Sequence, residues 1–108
     1  MILYMVRAQY TPEAFKGMLA RPGDREGPAR ELFAAAGLSL QHLWYSAQGE
    51  IVCVAEGNAV QGACVAMVVT ASGTLCNASM EELLTTKQQV EAMRSAGEVA
   101  SKYRAPGK

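Results

Sequence analysis

Residues 37 to 57 read GLSLQHLWYSAQGEIVCVAEG. Two β-type runs, Leu38–Ala47 and Glu50–Glu56, flank a Gln48-Gly49 turn signal, which predicts a β-hairpin. One strand-then-helix stretch precedes the hairpin and one helix-then-strand stretch follows it. The order βα(α)ββαβ with a helical tail predicts an α+β fold, a four-stranded antiparallel sheet with helices on one face.

Upstream, the β-rich run Ile2–Gln9 ends at Tyr10-Thr11-Pro12-Glu13. Thr11 suits an N-cap, Pro12 the first helical position, and Glu13 the positive helix end. Phe15, Met18 and Leu19 form the apolar stripe of that helix, and Arg21-Pro22-Gly23-Asp24 stops it. Pro28 opens a second helix with Leu32, Phe33 and Ala36 inward and Gly37 as its C′ residue.

Downstream, Asn58 and Gln61 have the spacing of a capping box and predict a third helix over Ala59–Ala71. Ala63, Cys64, Ala66, Met67, Val68 and Val69 leave this helix without a charged face, so something must cover it. Thr74–Ser79 reads as the last strand. Ser79-Met80-Glu81-Glu82 and Thr86-Lys87-Gln88-Gln89 then resemble helix starts. The longer tail helix gathers Val90, Met93, Ala96, Ala100 and Tyr103 on one side and is a candidate lid for the third helix. We expect one domain, residues 1–82, with a C-terminal helical extension, 83–108, packed on it.

At 108 residues the chain has the size of a single domain and should bury roughly 65% of its unfolded surface. Ten basic and ten acidic residues cancel. They form no basic stripe with interleaved aromatics, which excludes the electrostatic footprint of a nucleic-acid binder. The longest apolar run, Ala63–Val69, is far shorter than the roughly 20 residues of a membrane span, and no targeting signal stands at Met1. Cys53, Cys64 and Cys76 lack C-x-x-C spacing and lie in apolar elements, so reduced thiols and a cytoplasmic setting are expected.

Consecutive apolar residues in the strands, Leu3 to Val6, Leu43 to Tyr45 and Ile51 to Ala55, make both sheet faces apolar. Packing the free face against a symmetry mate resolves this, so a homodimer is expected.

Several segments are similar to the GYD-domain family of small bacterial proteins: Tyr10-Thr11, Leu43-Trp44-Tyr45, Ile51-Val52-Cys53-Val54-Ala55-Glu56, and Gly73-Thr74-Leu75 with Ala78 and Glu82. Tyr103-Arg104-Ala105-Pro106-Gly107 resembles the tail of some members. Where that family carries Gly-x-Tyr-Asp at the turn, this chain has Ala47-Gln48-Gly49-Glu50. The resemblance implies a ferredoxin-like fold and a dimeric α+β barrel; it implies no activity. Related barrels include cofactor-independent monooxygenases, isomerases and cyclases that work in a cavity on the sheet face.

His42, the single histidine, lies mid-strand beside Trp44 and is a candidate general base. Its bland reading is a hydrogen-bonded strand histidine. Arg7, central in an apolar strand, calls for an ion pair with Glu50 or Glu56 or for an anionic ligand. Gln9, Gln41, Trp44, Tyr45 and Asn77 are candidate ligand contacts where strand faces align. No phosphate loop, Ser-His-Asp order or metal-ligand spacing occurs, so neither a cofactor nor a metal is expected. The leading reading is a GYD-type protein binding a small, partly apolar molecule in the cavity of a homodimeric α+β barrel. The alternatives are a cofactor-independent enzyme using His42 as base with Arg7 opposite an enolate, and a non-catalytic assembly protein.

Overall fold

The computed structural model describes residues 2–108. Its sheet contains β1 (Ile2–Tyr10), β2 (Ser39–Ser46), β3 (Glu50–Gly57) and β4 (Leu75–Leu83), ordered β2-β3-β1-β4 and antiparallel throughout. Between β1 and β2 run α1 (Pro12–Ala20) and α2 (Glu26–Ala35), and between β3 and β4 runs α3 (Ala59–Ala71). This is the βαββαβ arrangement of a ferredoxin-like α+β fold, the class expected from the order of the segments.

Local signals are satisfied where they were legible. Thr11 Oγ1 accepts from the Ala14 amide, with Pro12 at the first helical position. Asn58 and Gln61 close a reciprocal capping box on α3 at 2.9 Å in each direction. Gly37 follows α2 at φ +87°, and Gly49 completes the hairpin turn at φ +99°, where its amide donates to Ser46 O at 2.9 Å. A side chain is disfavoured at both positive-φ sites.

Helices α2 and α3 share one sheet face with the core cluster of Phe33, Leu38, Leu40, Cys53, Ala55 and Val65. Leu32 and Ala36 pack against that cluster, as the stripe on α2 requires.

Two expectations fail after β4 begins. The Ser79–Glu82 pattern does not start a helix, because β4 continues to Leu83 in register with β1: Met80 faces Val6 and Leu83 faces Leu3. Ladder pairing along this edge overrides a four-residue capping signal. The true cap of α4 (Thr86–Val99) is Thr85, whose Oγ1 accepts from the Gln88 amide while its own amide donates to Gln88 Oε1, one residue before the expected pair.

The extension also does not lie on its own domain. Every residue from 84 to 108 is exposed, and α3 keeps Val60 at 79% and Met67 at 71% exposure. Leu84 and Thr85 connect β4 to α4, and the helix leads away from the sheet. The radius of gyration is 18.1 Å, against about 13 Å for a compact chain of this length.

Candidate functional site

Helix α2 packs over β2 and α3 over β4, and no substantial contact joins the two helices. The strip of sheet above β1 and β3 is therefore only partly roofed. Its sheet side mixes large apolar residues, Tyr4, Val6, Ile51 and Leu75, with the small Ala8, Cys53 and Ala55, and among the larger residues its helix side carries Ala29, Gly62 and Ala66. The result is a cavity of about 310 Å³. It follows β1 from Tyr4 to Tyr10, six residues or about 20 Å at the strand rise. Tyr4 is buried, Tyr10 half-buried and Arg25 exposed, so the cavity meets solvent at the Tyr10 end, and the exposed Val68, Ala78 and Met80 open its flank along α3 and β4 as well. Sealed and dry, a void of this size would cost about 7 kcal/mol at roughly 24 cal/mol per Å³. That rivals the whole stability of a small domain.

Thr11 fixes the open end: its amide donates to Thr74 O at 3.0 Å and its hydroxyl to Gly73 O at 2.6 Å. Tyr10 stacks edge-on with Phe15, ring centroids 5.6 Å apart, and lies 6.3 Å from the ring of Tyr45. Burial pushes the Tyr10 hydroxyl up from its ordinary range, and the positive charge of Arg25 partly pulls it back. On the floor, burial pushes the Cys53 thiol up to about 11, against a lowering backbone hydrogen bond at Val6. Cys53 is thus a neutral thiol at pH 7 and a poor nucleophile.

The opposite sheet face carries no helix. Strand register sets it out in rows: His42, Val54, Met5, Glu81; then Trp44, Val52, Arg7, Ser79; then Ser46, Glu50, Gln9, Cys76. The His42 and Trp44 rings stack with centroids 4.8 Å apart and planes 7° from parallel. Arg7 reaches diagonally to Glu50, Nη1 to Oε1 at 4.0 Å, and Nη2 points at the Met5 sulfur at 3.7 Å. Asn77 Nδ2 donates to Gln9 Oε1 at 2.8 Å.

The residues singled out from sequence are therefore divided between two faces. Arg7, Gln9, Glu50 and Asn77 form one polar patch on the open face. His42 and Trp44 share that face two strands away from Arg7, about 10 Å of sheet. Gln41 occupies a β-bulge, where its amide donates to Ser39 Oγ at 3.1 Å. Tyr45 turns to the helix side with Tyr10. None of these residues lines the cavity; Tyr45 only neighbours Tyr10, which does. The cavity itself escaped sequence reading, although the small residues at the buried positions Ala8, Ala55 and Gly62 were a signal for it. Among the described residues no group of three His, Cys, Asp or Glu side chains is placed to hold a metal ion. No described helix is long and apolar enough to cross a membrane.

No protein-family model matches the chain. No curated protein matches it either. Among solved structures it is similar to the C-terminal domain of the MgtC protein from Mycobacterium tuberculosis, with a TM-score of 0.50, 10% identity, and coverage of 77% of this chain and 88% of that one. Two structures of one Agrobacterium tumefaciens protein follow. The first has a TM-score of 0.48 and 14% identity, covering 78% of this chain and 92% of that one. The second, described as a nipsnap family protein with unknown function, has a TM-score of 0.40 and 15% identity, covering 76% and 86%. At such identities likeness extends to the fold alone. The chain is thus similar to a ferredoxin-like α+β domain in architecture, and its function must be argued from its own cavity and surfaces.

Proposed function

We propose that this protein binds a small, partly apolar molecule in the cavity between its helices and its sheet. The observation that supports this reading is the 310 Å³ volume with its predominantly apolar lining, which lies at the lower end of ligand-site volumes. Core residues normally pack without voids larger than a water. Alanine or glycine from five elements, β1, α2, β3, α3 and β4, borders this trench among larger apolar residues, which supports reading it as a site. The open face supports a companion proposal, a two-fold homodimer of the dimeric-barrel type that the GYD resemblance implies. Leu3, Met5, Val52 and Val54 form its apolar floor, and Trp44 is left 57% exposed on it.

The test is thermal unfolding with a panel of apolar small molecules. A true ligand at a hundred times its Kd adds about 2.7 kcal/mol of stability, and Ala55→Leu, which fills the floor, should abolish that gain. If no apolar molecule shifts the transition, or if Ala55→Leu binds as well as the native chain, the reading is wrong.

A second reading, assembly, is favoured by one observation: α4 is amphipathic and fully exposed, while α3 of the same chain has no charged residue and no cover. A 14-residue helix is marginal in water by itself. Exchange of α4 between two copies would cover both surfaces. The catalytic alternative, with His42 as base, has support only from the exposed His42 and Trp44 pair on the open face.

A further inference from the structure

We propose that the ligand of this cavity is a lipophilic anion, a slim apolar body ending in a carboxylate-type head that is held by Arg25 at the mouth. The inference rests on the cavity being a binding site, as argued above, and adds the chemical class of what enters it.

Arg25 is the one charged side chain among the residues that line the cavity. Everything deeper is aliphatic, aromatic or small, with Tyr4 at the far end. A neutral hydrocarbon would need no cation at the entrance, and a cationic ligand would be repelled by one. The guanidinium is also unclaimed. Of the two acids beside it, Asp24 uses Oδ1 to accept from the Glu26 amide at 2.9 Å, and Glu26 pairs with Arg30 at 3.3 Å. Arg25 makes no ion pair among the described residues. A guanidinium presents a fork of donors matched to the two oxygens of a carboxylate.

One neighbouring group points the same way. Tyr10 lines the same end of the cavity within electrostatic reach of Arg25, and its hydroxyl makes no hydrogen bond among the described residues, so its proton is available to an anionic oxygen. The positive end of α2 is already faced by Asp24, which accepts from the Glu26 amide, so the guanidinium of Arg25 is the group left to meet an anion. About 310 Å³ spread over roughly 20 Å at the strand rise suits an extended body better than a bulky one.

Titration calorimetry with octanoate and its neutral isostere octanamide tests this on the full chain. Octanoate is expected to bind at least tenfold more tightly. Arg25→Gln should bring octanoate down to the octanamide level and leave octanamide within twofold, and Tyr10→Phe should weaken octanoate alone, by a few fold. Equal affinities for acid and amide, or an Arg25→Gln variant that retains native octanoate binding, would overturn the anion proposal while leaving the cavity reading intact. Octanoate that still binds the Ala55→Leu variant sits elsewhere and overturns it too. Absence of binding by both compounds removes the cavity reading itself, and this inference with it.

Discussion

Asn77 donates to Gln9 across the point where β4 carries one more residue than β1. Register passes from Arg7 opposite Ser79 to Gln9 opposite Cys76, and Asn77 takes up the extra length at φ +51°. Asparagine tolerates this left-handed conformation better than other side chains, and its amide secures the bulge to the neighbouring strand. Asn77→Gly should keep stability within about 0.5–1 kcal/mol, exchanging a hydrogen bond for backbone freedom. Asn77→Val should lose about 1–3 kcal/mol from strain. Urea unfolding of the two variants separates these outcomes.

Two glycines on either side of α3's start predict opposite signs. A Cβ at Gly57 would collide with the Leu38 side chain and stand 2.7 Å from Gln61 Oε1, within the capping box. Gly57→Ala should therefore cost about 1–3 kcal/mol. At Gly62 the added methyl meets only the Met80 terminus, at 2.9 Å, and that flexible end can move aside. Gly62→Ala gains helix propensity of up to about 1 kcal/mol. It should leave the domain as stable or more so, while narrowing the cavity and weakening any ligand in it. Chemical denaturation and ligand titration read both effects.

Alkaline pH should destabilise the fold through Cys53. Its folded pKa lies above the unfolded value, at about 11 against 9.0, so the folded state holds its proton more firmly. The stabilisation is complete below about pH 9 and is lost as pH rises towards 11, amounting to about 2–3 kcal/mol. Tyr10, also raised, adds a loss of the same sign above pH 10. In thiol labelling at pH 8, the exposed Cys64 should react first and the buried Cys53 only on unfolding.

The ion pair between Arg7 and Glu50 should contribute little. With side chains 46% and 28% exposed and the charges 4.0 Å apart, a double-mutant cycle of Arg7→Met and Glu50→Gln should give a coupling below about 1 kcal/mol. A larger coupling would mean that the open face is covered in solution, where the same pair is desolvated.

Truncation after Leu83 separates the assembly reading from the rest. Since no side chain beyond that residue is buried, the shortened chain should keep its melting temperature at concentrations where it is monomeric. Any assembly made through α4 should disappear from sedimentation profiles.

Local chemistry was legible wherever one segment determined its own conformation. Thr11-Pro12, Asn58 with Gln61, and Gln48-Gly49 each announced a cap or turn that the chain forms. Ser79–Glu82 misled because its fate is decided by β1, a partner distant in sequence, and short signals cannot weigh a ladder they do not contain. The site suffered from the same limit. Which face His42, Arg7 and Tyr45 occupy depends on a bulge at Gln41 and on strand order, neither of which periodicity reveals. The cavity depends on two helices that fail to meet, a property of their relative placement and not of either sequence.

The ring stack of Trp44 on His42 has a practical corollary. Trp44 is the sole indole of the chain and stands on the helix-free face, so its fluorescence is an intrinsic reporter for whatever shields that face. A blue shift that grows with protein concentration would register self-association directly. A molecule entering the lumen beneath α2 and α3 should leave the emission maximum where it was, so one cuvette distinguishes the two events without any dye.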